Sequence, residues 1–391
     1  MICRFENRLA DQAIVLSGPR ERVAAHRPED LPEVYAAAAR ARRNGRWVAL
    51  LAEYELGEWL LPESTRLPAG TSGASSHAGA GAGEAASSSR PRCATPRLTV
   101  LAYEHAAHTT PWAVLPDDGQ AGIVSARPAI ARDAYLRRVG AVRDMIGRGE
   151  LYQLNYTFPM DVQTRGAPDA VYRQLASRHA SAHAAYIEDE GRTVLSFSPE
   201  LFLQRSGSRV VTRPMKGTAP RFDDAQADRA SGQALVSSEK NRAENLMIVD
   251  LLRNDLGRLA PPGGVHVDAL FTLEQYPSVW TLTSTVSADL PGCELPQILA
   301  NLFPCGSITG APKVAAMQHI RVLEDSPRGL YCGAIGWLAP DGDFSLNVAI
   351  RTLVLDRPDR GQYRVGGGIV FDSDPALEWE ECLWKARVIT A

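Results

Sequence analysis

Nowhere in these 391 residues does an apolar run approach the roughly 20 residues that span a bilayer, which excludes a chain crossing a membrane by helices. An apolar signal stretch is missing too, because Arg4, Glu6 and Arg8 stand where it would lie; a cytoplasmic protein is expected. Cysteine is sparse. The six, at positions 3, 93, 293, 305, 332 and 382, form no CxxC pair and have no matching histidine cluster, so neither a zinc site nor a disulfide framework is indicated. Basic excess is also absent: the net charge is -3, and no basic stripe interleaves with aromatic residues. Nucleic acid is therefore not expected as a partner.

What is present is ordinary for a globular chain. A 45% hydrophobic and 22% charged composition supports one large core or two modest ones. One segment departs from it: from Ala69 to Pro96 glycine, alanine and serine dominate, which predicts a flexible insertion at 69–97. It separates an N-terminal part, 1–68, from 98–391, whose core is 130–391. In the first part a helix is expected at 31–43 and buried strands within 47–61, and a further strand at 97–103 follows the insertion. Beyond residue 130 helices are predicted near 131–149, 223–232, 237–256, 294–301, 312–324 and 375–389. Strands are predicted near 151–162, 183–188, 193–198, 265–271, 279–288, 331–339, 343–355 and 363–371, with a hairpin-like pair around 201–213. Because the helices do not alternate strictly with the strands, the pattern is α+β rather than a doubly wound parallel sheet.

Four places could carry chemistry. Val365 to Phe371 holds Gly366, Gly367 and Gly368, and three glycines in a strand mark a close approach by a ligand or another backbone. Asp374 and Pro375 then open a helix as cap and first residue. On that helix Glu378, Glu381 and Lys385 share one face, although the same spacing serves a solvated surface pair. The second place is Glu244, on a helix whose apolar residues imply burial, where a buried carboxylate needs a partner or a metal. Magnesium suits such glutamates, since it takes hard oxygen ligands, commonly one or two protein carboxylates with water and substrate completing the shell. The third is Lys216 in Arg213-Pro-Met-Lys-Gly-Thr218, either an exposed cation or, if desolvated, a nucleophile. The fourth, Gly306-Ser-Ile-Thr-Gly-Ala-Pro-Lys313, opens a helix, and either anion binding or plain capping explains its residue types.

Together and in their order along the chain, these motifs resemble the chorismate-binding family, which includes anthranilate synthase component I, aminodeoxychorismate synthase component I and the isochorismate and salicylate synthases. The likeness covers about 130–391 and implies two packed antiparallel-rich β-sheets flanked by helices. Lys216 within Pro-x-Lys-Gly-Thr resembles the aminodeoxychorismate branch, where anthranilate synthases carry alanine. The family resemblance implies that Glu244 and Glu381 bind Mg²⁺, with Glu378 assisting through water, and that Lys385 holds the ring carboxylate. It implies that Arg351, Tyr331 and the Gly368 backbone, next to Gly367, take the enolpyruvyl carboxylate, and that Thr309 and Gly310 line the pocket. Glu200 is implied as the general acid, and Gln153 matches the ammonia-using branches.

The activity so implied is conversion of chorismate and ammonia to 4-amino-4-deoxychorismate, for 4-aminobenzoate and folate biosynthesis. No cysteine-nucleophile glutaminase segment is found, so the ammonia is expected from a glutamine amidotransferase subunit, and a separate aminodeoxychorismate lyase is expected downstream. Anthranilate synthase component I and a non-catalytic chorismate-binding regulatory subunit are the alternatives. One departure stands out: Thr281 occupies a position where the family often has histidine.

Overall fold

The computed structural model describes residues 1–67, 95–276 and 279–390. The predicted insertion falls almost wholly outside them. The N-terminal part contains β1 (Cys3–Asn7), β2 (Gln12–Ala25), α1 (Leu31–Arg43), β3 (Trp47–Ala52), α2 (Leu56–Leu60), β4 (Leu98–Thr109) and β5 (Gly122–Pro128). Next come α3 (Arg132–Gly147), β6 (Gln153–Arg165), α4 (Pro168–Arg178), β7 (His183–Asp189), β8 (Arg192–Ser198), β9 (Leu201–Ser206), β10 (Arg209–Arg213) and β11 (Met215–Pro220). They are followed by α5 (Ala225–Ser237), α6 (Glu239–Gly257), β12 (Val265–Gln275), β13 (Val279–Asp289), α7 (Leu295–Leu302), β14 (Gly310–Ala311) and α8 (Lys313–Leu323). The chain closes with β15 (Ala334–Leu338), β16 (Phe344–Val348), β17 (Thr352–Arg357), β18 (Arg360–Ile369), α9 (Pro375–Lys385) and α10 (Arg387–Thr390).

Among the described residues all eighteen strands join one hydrogen-bonded network, and every pairing is antiparallel. Followed from neighbour to neighbour, the ladder runs β12, β13, β10, β9, β16, β15, β3, β4, β2, β1, β7, β8, β17, β18, β6, β5. Strand β11 lies on β13 beside β10, and β14 lies on β6 beside β5. The ladder doubles back at the long β2–β4 pair, whose register shifts between Pro19 and Glu21. Its two halves thereby face each other as the two packed sheets the family resemblance implies. One apolar cluster joins them, drawing Ala49, Leu51, Leu101, Tyr103 and Ile335 from one half and Cys3, Phe5, Ala185, Ile187 and Val194 from the other. Asn347 Nδ2 on β16 also crosses the gap to donate to the His183 carbonyl on β7 at 2.8 Å. A larger cluster lies under the helices, which cover the outer faces.

Several expectations need correction. The apolar run 47–61 is a strand followed by a helix rather than strands alone, because α2 buries Leu56 and Gly57 after β3 ends. Residues 343–355 are two strands, broken at Arg351, which takes φ 50°. The last helix, predicted over 375–389, divides between Lys385 and Arg387 into α9 and α10. Helix α4 and strands β1, β2, β5 and β11 were not foreseen. The cap of α9 is as predicted: Pro375 is its first residue, and the Asp374 carboxylate accepts from the Ala376 and Leu377 N–H groups. Among the described residues, no helix is long and apolar enough to cross a membrane.

Candidate active site

Where β11, β13, β18, α6 and α9 meet, they enclose a cavity of about 980 Å³, lined by Lys216, Glu200, Glu244, Tyr331, Arg351, Gly368, Glu378, Glu381 and Lys385. Most of the residues singled out in the sequence therefore converge, although they span 186 positions, from 200 to 385.

The floor is the glycine stretch of β18, where Gly367 and Gly368 pair with Tyr156 and Asn155 of β6. A Cβ on Gly368 would lie 2.2 Å from Gln153 Nε2 and 3.6 Å from Lys216 Nζ; on Gly367 it would lie 2.9 Å from Glu378 Oε2. Side chains thus crowd this strand so closely that only glycine fits.

Helix α9 brings its acidic face over that floor. Lys385 Nζ donates to the Gly366 carbonyl at 2.8 Å and lies 2.7 Å from Glu381 Oε1. Burial works to lower the Lys385 pKa, but Glu381 outweighs it and the net shift is upward. The facing ammonium in turn holds Glu381 below the usual carboxylate range. Glu378 is buried and accepts from Ser373 Oγ at 2.7 Å; burial, aided by the charge on Glu381, raises its pKa nonetheless. Glu244, on α6 across the cavity, is also raised by burial, with Lys216 opposing and Glu381 adding to the shift.

Lys216 projects from β11, whose register against β13 shifts between Lys216 and Thr218. Its Nζ donates to the Ser307 carbonyl at 2.9 Å. Burial lowers its pKa, Lys385 lowers it further, and Glu244 and Glu200 oppose them. Glu200 sits in the β8–β9 turn with 3% of its surface exposed, accepting from Ser307 Oγ at 2.7 Å. Burial raises its pKa against the effects of Ser307 and Lys216. A buried amine pushed toward neutrality and a buried carboxyl pushed toward its acid form have the protonation states that a nucleophile and a general acid require. Arg351 lies in the left-handed region, where backbone strain tends to accompany function. Among the described residues its guanidinium makes no hydrogen bond or ion pair, so it faces the cavity uncommitted.

Three predicted positions fall elsewhere. Thr309 and Gly310 do not line the cavity: Thr309 is fully buried with Oγ1 donating to the Cys305 carbonyl, and Gly310 pairs with Leu154 in β14. The short 3-10 turn Gly306–Ile308 rotates Ser307 and Ile308 into the wall instead. Gln153 is 1% exposed and lies behind Gly368, and among the described residues neither of its side-chain polar atoms has a hydrogen-bond partner. Thr281 does line the cavity, and its Oγ1 donates to the Gly217 carbonyl at 3.0 Å, bracing the residue after Lys216. Ser307, Lys240, Asn241, Tyr276 and Tyr363 are wall residues the sequence reading missed. All but Tyr363 stood within strings that the sequence reading considered, but none was given a role there.

Glu244, Glu378 and Glu381 suit magnesium in donor type and in crowded negative charge. They are not assembled as a ligand set: among the described residues no three acidic, histidine or cysteine side chains come together around one point, and Glu381 is engaged by Lys385.

A doubled antiparallel ladder with an acidic, lysine-bearing cavity defines a class of enzyme, and the class is confirmed by comparison. Residues 2–391 match the family described as chorismate binding enzyme, and the chain belongs to it. It is 41% identical to aminodeoxychorismate synthase component 1 of Klebsiella aerogenes over 264 residues, 67% of this chain and 58% of that one. It is also 38% identical to anthranilate synthase component 1 of Streptomyces coelicolor over 257 residues, 65% of this chain and 50% of the other. The matched part thus spans between half and three-fifths of the length of these curated relatives. Its fold matches the crystal structure of anthranilate synthase component I from Streptococcus pneumoniae TIGR4 with a TM-score of 0.79 at 24% identity, covering 97% of this chain and 92% of that one.

Proposed function

We propose that this chain converts chorismate and ammonia to 4-amino-4-deoxychorismate, as component I of an aminodeoxychorismate synthase. The observation that carries the proposal is the cavity-facing Lys216 amine, depressed in pKa, 2.9 Å from the Ser307 carbonyl whose own hydroxyl bonds the acid Glu200. A lysine so placed offers a nucleophile.

In this reading neutral Lys216 attacks C2 of the ring. Both ring double bonds shift and the C4–O bond breaks, and the hydroxyl leaves as water with the proton of Glu200. Ammonia then adds at C4 and gives its extra proton to the Glu200 carboxylate, both double bonds return, and the C2–N bond to Lys216 breaks to release the neutral amine. Arg351, Tyr331 and the Gly368 backbone receive the enolpyruvyl carboxylate, and Lys385 the ring carboxylate. Glu244 and Glu381, with Glu378 through water, are the residues that would hold Mg²⁺; when bound it supplies positive charge to the ring carboxylate. Gln153, behind Gly368, matches the ammonia-using rather than the water-using branches of the family. The ammonia comes from a glutamine amidotransferase partner, and a separate lyase takes the product on to 4-aminobenzoate, for folate synthesis. The reaction is proposed to be cytoplasmic.

Anthranilate formation is the competing reading, because an anthranilate synthase is nearly as similar in sequence. The test is product analysis with chorismate, Mg²⁺ and ammonium salts, with and without a glutaminase subunit. 4-Amino-4-deoxychorismate without pyruvate is expected; anthranilate with stoichiometric pyruvate would overturn the proposal.

A further inference from the structure

We infer that Ser307 is a positioning residue that sets the acid and the nucleophile of this site relative to each other. The inference rests on the reaction proposed above. Its basis is that one residue touches both groups: the Ser307 hydroxyl donates to Glu200 Oε1 at 2.7 Å, and the Ser307 carbonyl accepts from Lys216 Nζ at 2.9 Å. Ser307 and Glu200 are 4% and 3% exposed, so water competes little for these bonds.

The turn that carries Ser307 is held from several sides. Arg328 Nη1 donates to the Ile308 carbonyl at 3.0 Å, and Thr309 Oγ1 to the Cys305 carbonyl at 2.8 Å. Just beyond the turn, Lys313 Nζ bonds Asp255 of α6 at 2.6 Å and the Leu302 carbonyl at 3.1 Å. A Cβ on Gly306 would lie 2.3 Å from Leu251 Cδ2, so α6, which bears Glu244, packs directly on the turn. Ser307 is therefore anchored by backbone, by an ion pair and by a helix, and its hydroxyl has little freedom to leave Glu200.

A hydroxyl both donates and accepts. Ser307 can donate to the Glu200 carboxylate and, after rotation, accept from the protonated carboxyl, so it holds the same oxygen before and after proton transfer. Cys305 Sγ lies 3.2 Å from Ser307 Oγ. Its pKa is pushed up to about 12 by burial, so it remains a thiol able to donate to the serine oxygen. Besides Ser307, the groups acting on Glu200 are Lys216, the Met215 N–H and Arg351, with Cys305 alongside; of these only Ser307 also bonds Lys216.

The sign of the effect follows. Donation by Ser307 favours the ionised form of Glu200, so removing the hydroxyl raises the Glu200 pKa further and extends the alkaline limb of the rate profile to higher pH. In Ser307→Ala, kcat is expected to fall by about 10- to 100-fold, part of what a general acid contributes. KM should stay within about twofold, and the alkaline limb should move upward. Ser307→Thr, which keeps the hydroxyl, should recover most of the loss.

The experiment measures kcat, KM and the pH profile of product formation from chorismate, Mg²⁺ and ammonium for wild type and both variants, with thermal unfolding in parallel. If the alanine variant does not fold, Ser307→Cys, a weaker donor of similar size, reads the same shift. An Ala or Cys variant with unchanged kcat and unmoved limb, or equal losses in Ala and Thr, overturns the inference. A wild-type protein that makes no 4-amino-4-deoxychorismate sinks the proposed reaction itself, so the two failures are distinguishable.

Discussion

Phe158 of β6 and Trp379 of α9 stack face to face, their ring centroids 5.3 Å apart and their planes 14° from parallel. Tyr135 of α3 meets both rings edge-on, and its hydroxyl lies 3.3 Å from Cys382 Sγ. These aromatic contacts fix the helix that carries Glu378, Glu381 and Lys385. Trp379→Ala should cost about 3–5 kcal/mol of stability, as large core truncations do. Denaturant unfolding measures that loss, and activity should fall with it because α9 loses its seat over the glycine strand.

Gly368→Ala should leave the protein folded but impair turnover. The new methyl would have to displace the Gln153 amide, 2.2 Å away, and shift the floor beneath the substrate. Misplacement of this kind costs on the order of 100-fold. Comparing kcat/KM with the unfolding midpoint separates the two effects; a variant with wild-type kcat/KM would mean that the strand yields without consequence.

The rate should depend on pH as a bell. Lys216 must be neutral to attack, and burial lowers its pKa, so activity falls on the acid side as it takes up a proton. Glu200 must be protonated to deliver its proton, and burial raises its pKa, so activity falls on the alkaline side as it ionises. Both limbs belong to the coupled pair rather than to either group alone. Lys216→Arg, always charged, should lose product formation at every pH; a variant that still forms product at the wild-type rate would remove the covalent route.

Chelation of Mg²⁺ should abolish product formation, and added Mg²⁺ should restore it. Glu244→Ala and Glu381→Ala should each raise the Mg²⁺ needed for half-maximal rate on the order of 10- to 100-fold, the usual effect of disturbing a metal's surroundings. Titration of rate against Mg²⁺ checks this. A Glu381→Ala protein with wild-type Mg²⁺ dependence would exclude it as a ligand.

The local signals held where one element suffices to explain them. Asp374 and Pro375 start α9 because a cap and a fixed φ act within a single turn, and the spacing of Glu378, Glu381 and Lys385 puts them on one face whatever lies opposite. The glycine strand announced a close approach for the same reason. Signals that depend on what lies opposite were weaker. The break between β16 and β17 is invisible in a continuous apolar run, since Arg351 enters the left-handed region only because the surrounding strands hold it there. Thr309 was read as a pocket residue because the family resemblance implied it; the turn before it decides that Ser307 faces inward and Thr309 does not.

By itself, the order of residues determined which side chains could do chemistry, where helices begin, and which family the chain resembles, because caps, periodicities and motif strings act over a few bonds. The tertiary structure alone decided that Lys216, Glu200 and Ser307 are neighbours and that Lys385, beside Glu381 on α9, also reaches the Gly366 carbonyl. Those contacts join residues as many as 107 positions apart, and only the doubling back of the ladder and the burial it creates bring them together and shift their proton affinities.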